Sequence, residues 1–151
     1  MSKVENRLKA LGLSLPGAPL PMGNYLGCKR MGSLLFASGR VSNCKGEVGT
    51  EISLEQAREA ARDTVLTILA IIKQEIKDLD VIEGVLKLTG FIRSSAGFTE
   101  HPKVIDGASD VLIALFQENG RHARTATGVA QLPFGASVQL DIIFILGQNS
   151  K

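Results

Sequence analysis

Tryptophan is absent from this chain, tyrosine occurs once in 151 residues, and aromatic residues make up only 5%. So thin an aromatic complement offers no row of stacking side chains along which single-stranded nucleic acid is held. An excess of one charge is also missing. Lys and Arg number 17 against 15 for Asp and Glu, and the formal +2 does not by itself call for a polyanionic partner. Cys28 and Cys44 form no Cys-x-x-Cys pair and have no histidine cluster beside them, so they are expected to be structural thiols and no metal site is expected. No apolar run is long enough to span a bilayer, and Glu5, Arg7 and Lys9 interrupt the stretch where a secretion signal needs an unbroken apolar core. The expectation is a soluble cytoplasmic protein without a membrane partner. No Gly-x-Ser-x-Gly, His-Glu-x-x-His or phosphate-loop motif occurs. His101 and His122 have no obvious carboxylate or nucleophile beside them in sequence, so they are read as solvent-facing or capping residues.

What is present suits one compact domain over residues 1–151, because 44% hydrophobic content at this length buries a single sizeable core. Residues 1–18 form an N-terminal extension whose segment 4–11 has helical amphipathy. Pro16, Gly17, Pro19, Pro21 and Gly23 then force extended or turning backbone. Segments 25–31 and 34–38 read as two strands of a hairpin or meander. Ser53 and Gln56 make a capping box ahead of an apolar stripe at Leu54, Ala57, Ala61, Val65, Ile68, Ile72 and Ile76, the spacing of a long one-sided helix that ends at 78–80. A strand over 85–92 follows. A second helix has Pro102 in its first turn and Gly120 as its stop. Segments 124–130 and 138–146 read as strands joined as a hairpin through Leu132, Pro133, Phe134 and Gly135. The expected architecture is α+β: a mostly antiparallel sheet with two helices packed on one face. In the last strand Val138, Leu140 and Ile142 alternate with Gln139, Asp141 and Ile143, so the second face is too apolar to stay bare, and a partner subunit is its natural cover.

Arg121 and Arg124 stand at the start of a strand. A guanidinium is a planar fork able to hold a carboxylate through two parallel hydrogen bonds, a geometry lysine does not reproduce. Arg124 is therefore a candidate carboxylate clamp. The same pattern also fits an arginine paired with a structural Asp or Glu, and residue spacing does not decide between the two.

Three elements, in order, resemble one family. Gly23-Asn24-Tyr25 is similar to its N-terminal Gly-Pro/Asn-Tyr element, and Leu35-Phe36-Ala37-Ser38-Gly39 to its strand ending in Ser-Gly. Ala123-Arg124-Thr125 running into Leu132-Pro133 is similar to its Ala-Arg-Ser/Thr strand and Leu-Pro turn. That family is the Rid (YjgF-type) imine/enamine deaminases, also named endoribonuclease L-PSP, and the resemblance runs from about Pro19 to the last strand. It implies a chorismate-mutase-like fold, a homotrimer with a cleft at each subunit interface, and cofactor-free hydrolysis of 2-imino or enamino acids of the 2-aminoacrylate type to 2-keto acids and ammonia. It further implies that Arg124 holds the substrate carboxylate, that Tyr25 lines the cleft, and that Ser38 and Gly39 end a strand beside the ligand. The backbone carbonyl of Ala126 would help hold water. Where many members carry a Glu that positions or activates water, this chain has Gln139, whose amide orients water but takes up no proton. Residues 106–116 are longer than in compact members. Two other readings stay open: a trimer that binds small carboxylates without turnover, and an endoribonuclease or translation inhibitor using a basic patch of Lys29, Arg30, Arg40, Arg121, His122 and Arg124. Nucleic acid is the less expected partner, since no aromatics interleave that patch.

Overall fold

The computed structural model describes residues 2–148. Its first element, α1 (Lys3–Ala10), is capped by Ser2, whose hydroxyl accepts from the Glu5 backbone while the Glu5 carboxylate reaches back to Ser2. Asp80 ties this helix to the domain by accepting from the backbone N–H groups of Lys3 and Val4 at 2.8 and 2.9 Å. Burial pushes the Asp80 carboxyl up, but those donors outweigh it and hold the group below its ordinary range.

The strands are β1 (Cys28–Met31), β2 (Leu34–Val41), β3 (Ile82–Arg93), β4 (Ala123–Val129) and β5 (Val138–Leu146), and the two long helices are α2 (Leu54–Ile76) and α3 (His101–Phe116). The Ser53 capping box forms as its spacing requires, and the stripe from Ala57 through Ile72 is buried. The α2 helix ends two residues before the expected stop, with Lys77 in the left-handed region. Similarly α3 ends at Phe116 with Gln117 at positive φ, and Gly120 instead closes the short 3-10 turn that follows. A side chain on Gly120 would meet the Leu112 carbonyl oxygen.

The sheet order is β1-β2-β5-β3-β4, antiparallel except for the parallel pair β3 and β4. This corrects the expected hairpin between the last two strands: β5 pairs with β2 and β3 and does not touch β4 through the ladder. The reason lies in composition. Val138, Leu140, Ile142, Phe144 and Leu146 are all buried, so β5 belongs in the middle of the sheet, where both of its edges are hydrogen-bonded and its apolar side is covered. The Thr- and Gly-containing β4 tolerates an edge. Phe134 and Gly135, both at positive φ, carry the chain through the turn between them.

Helices α2 and α3 cover the face formed by Leu35, Leu88, Ile92, Leu140, Ile142 and Phe144. The opposite face has no helix among the described residues. There Gln139, Asp141 and Ile143 lie beside Phe91, Thr89 and Lys87 of β3, only half-buried, with Phe36 of β2 exposed. No helix among the described residues is long and apolar enough to cross a membrane.

Candidate functional site

Arg124 pairs in register with the buried Leu88, so its side chain leaves β4 on the helix-covered side and runs under α3. Nη1 donates to Asp106 Oδ1 at 2.6 Å and to Ser109 Oγ at 3.1 Å, and Nη2 to the Pro102 carbonyl oxygen at 3.4 Å. Asp106 and Ser109 stand three residues apart on α3 and so share one face of it. Ser109 is nearly fully buried, and its hydroxyl also meets His122 Nε2 at 2.9 Å. His122 Nδ1 lies 2.6 Å from the Gly120 carbonyl oxygen, which can only accept, so Nδ1 carries the hydrogen. In the tautomer with the hydrogen on Nδ1 alone, Nε2 accepts from Ser109. The guanidinium is thus braced by a chain of hydrogen bonds that ends in the backbone, and its side chain remains 24% exposed at the sheet edge. Ala126, two residues on, faces the same side and packs against the core.

The remaining candidates gather elsewhere. Ser38 Oγ donates to the Leu26 carbonyl oxygen at 2.5 Å, and the Ser38 backbone N–H donates to Gly27, which ties the end of β2 to the loop that carries Tyr25. Tyr25 is half-exposed, and its hydroxyl accepts from the Met22 backbone, so the ring folds over its own Gly-rich loop. A β-bulge falls between Ala37 and Arg40, and Gly39 lies within it. A Cβ on Gly39 would stand 3.1 Å from Gln139 Nε2, so the missing side chain is what lets the amide lie over the strand. Asp141 follows on the same open face, where burial raises its carboxyl above the ordinary range against a smaller opposing pull from Lys87. Lys87 itself donates to Thr125 Oγ1 at 2.8 Å.

Within one chain these candidates fall into two separate groups. Tyr25, Ser38, Gly39 and Gln139 are neighbours, and so are Arg124 and Ala126. From β2 to β4 there are three strand steps, roughly 14 Å at a strand spacing of about 4.8 Å. Gln139 also points to the open face while Arg124 points beneath α3. The six basic residues of the proposed patch are likewise scattered, with Lys29 and Arg30 on β1 and Arg124 on β4, the two opposite edges of the sheet.

Asp106, Ser109 and His122 were not singled out in the sequence as partners of Arg124. The available signal was a polar pair at helical spacing inside the apolar stripe of α3. His101 and His122 are not simply solvent-facing: His101 Nε2 lies 3.0 Å from Ser94 Oγ, edge-on to Phe98. Among the described residues no group of three or more His, Cys, Asp or Glu is placed to hold a metal ion.

Residues 5–146 match the model of the family described as "YjgF/chorismate mutase-like, putative endoribonuclease". Protein TCP17 of Trypanosoma cruzi is 39% identical over 148 residues, covering 93% of this chain and 92% of that protein. A 2-iminobutanoate/2-iminopropanoate deaminase of Dermatophagoides farinae is 27% identical over 135 residues, covering 89% of this chain and 94% of that one. The crystal structure of protein Atu1372 from Agrobacterium tumefaciens, of unknown function, superposes with a TM-score of 0.89 at 39% identity, covering 96% of this chain and 93% of that one.

Proposed function

This chain belongs to the YjgF/chorismate mutase-like family, and on that premise we propose that it hydrolyses protonated 2-imino acids to 2-keto acids and ammonium in a cleft completed by a second copy of itself, in a homotrimer. The observation that carries the reading is the braced guanidinium of Arg124 at the sheet edge, with the Nε/Nη2 side of its fork held by nothing stronger than a backbone carbonyl. A planar fork in that state suits a carboxylate, and it fixes the plane of the imine carbon bonded to that carboxylate. The distant Dermatophagoides relative named as a 2-iminobutanoate/2-iminopropanoate deaminase supports the same substrate class.

The chemistry asks little of the protein. Water oxygen adds to the imine carbon as the C=N π pair moves to nitrogen. One proton passes from the added oxygen to that nitrogen, the C–N bond breaks as an oxygen lone pair forms C=O, and the remaining hydroxyl proton goes to the departing ammonia, leaving a 2-keto acid and ammonium. Holding water and imine together supplies most of what such an activated bond needs. On this reading the Gln139 side-chain oxygen orients the water from the neighbouring copy, beside Ser38, Gly39 and Tyr25, and the Ala126 carbonyl is a second water acceptor.

The test generates imino acids in place with an amino-acid oxidase and follows imine loss above the spontaneous rate. Arg124→Ala is expected to remove nearly all acceleration, about a hundredfold or more, with the assembly intact. Arg124→Lys should rescue little, since a point charge does not set the carboxylate plane. Acceleration retained by Arg124→Ala rejects the clamp. Binding without acceleration by the unaltered protein favours a carboxylate-binding trimer, and turnover confined to RNA with a steep fall as salt rises replaces both.

A further inference from the structure

Arg124 is only half committed. Both N–H bonds of Nη1 are spent on Asp106 and Ser109, whereas Nη2 meets only the Pro102 carbonyl oxygen at 3.4 Å and Nε meets no partner among the described residues. Asp106 is half committed in turn. Its Oδ1 is taken by Arg124, its side chain is 43% exposed, and Oδ2 has no hydrogen-bond partner among the described residues. The brace through Ser109 and His122 prevents the guanidinium from turning to satisfy both groups internally. The Nε/Nη2 edge of the fork and the second oxygen of the carboxylate that holds its Nη1 are thus both left for a ligand to meet.

That pair of groups is a poor receptor for a simple carboxylate. A monoanion would gain the fork edge, but Asp106 already neutralises the arginine and repels the newcomer. An α-zwitterion is matched at both ends, because its cationic nitrogen is attached to the carbon that carries the carboxylate. Resting on the imine-hydrolysis reading, we propose that Asp106 is a specificity-determining residue that makes the Arg124 site a receptor for α-zwitterions. Arg124 takes the carboxylate through Nε and Nη2, and Asp106 Oδ2 accepts from the adjacent iminium or ammonium N–H. The site then separates substrate from product by charge. The protonated imino acid is held at both ends, and the 2-keto acid, having lost its cationic nitrogen, is left facing an uncompensated carboxylate and is released.

Calorimetric titration of the full-length protein in its native assembly with 2-aminobutanoate and with 2-oxobutanoate tests this, since the two share a carbon skeleton and differ in the nitrogen charge. The unaltered protein is expected to bind the amino acid about tenfold or more tightly than the keto acid, the scale of one charge-assisted hydrogen bond. In Asp106→Asn that preference should collapse, with the amino acid weakened and the keto acid tightened. A loss of braced geometry alone would weaken both ligands together and leave their ratio unchanged. Equal or tighter keto-acid binding by the unaltered protein overturns the proposal, and that comparison stands even where Asp106→Asn fails to fold. A folded Asp106→Asn with an unchanged ratio also overturns it. Arg124→Ala should abolish both affinities. If it does so while the Asp106 result fails, only the zwitterion proposal falls. If Arg124→Ala binds both ligands normally, or the unaltered protein binds neither, the imine-hydrolysis reading of this site falls with it.

Discussion

On the imine-hydrolysis proposal, one atom at position 139 decides how much of the proton transfer the protein performs. The Gln139 amide lies over Gly39, where any side chain would crowd it, and it can orient a water but cannot take the proton that water loses. Gln139→Glu is expected to raise the rate of imine hydrolysis by about tenfold or more, toward the range of a positioned general base. The measurement is the initial rate for small imines across neutral pH, where the variant should also acquire a new acidic limb as the introduced carboxyl protonates. An unchanged rate and profile would place residue 139 outside the site. Arg124 was legible as a candidate because a strand-start arginine has few roles. Its partners were not, because Asp106 and Ser109 reach it from a helix that must first dock, and no spacing along the chain encodes that docking.

Among the elements, α3 bears the most on the site, since it supplies the brace for Arg124 and the cover for β4. Its seating on α2 depends on Gly107, where a Cβ would stand 2.1 Å from the Arg58 carbonyl oxygen, a backbone atom that cannot rotate away. Gly107→Ala is therefore expected to push the helices apart and destabilise the fold by about 1–3 kcal/mol. The urea midpoint should fall accordingly, and ligand binding at Arg124 should weaken as Asp106 and Ser109 shift with α3. An unaltered midpoint would show that the helix pair opens at no cost. The helices themselves were readable from periodicity and from the Ser53 cap. The hairpin drawn between the last two strands was not borne out, because adjacency in sequence predicts pairing only when neither strand gains more elsewhere. Here β5 gains a covered place between β2 and β3.

At the scale of the molecule, the open sheet face and the separation of the two groups of candidates both support the proposed shared cleft. Phe36 and Ile143 face each other across β2 and β5 with no helix among the described residues over them, beside the half-buried Asp141. If copies cover that face for one another, Ile143→Glu should yield a smaller species in sedimentation, because it adds a charge to a face already unfavourable to the Asp141 carboxylate. The same variant should lose imine hydrolysis although Arg124 and Gln139 are untouched, since the proposed cleft draws on two copies. Full-size assemblies, or monomers that keep their activity, would reject the shared cleft.

The sequence by itself determined the α+β class, the two long helices, the alternation of β5 and the residue types available for chemistry, all of which follow from local periodicity and side-chain capability. Only the tertiary structure decided the order of the strands, the separation of the candidates on β2 and β5 from those on the edge strand β4, and the capture of one side of Arg124 by Asp106 and Ser109. Those outcomes depend on which surfaces exclude water together. That competition is settled among distant segments at once, so no local pattern records the result.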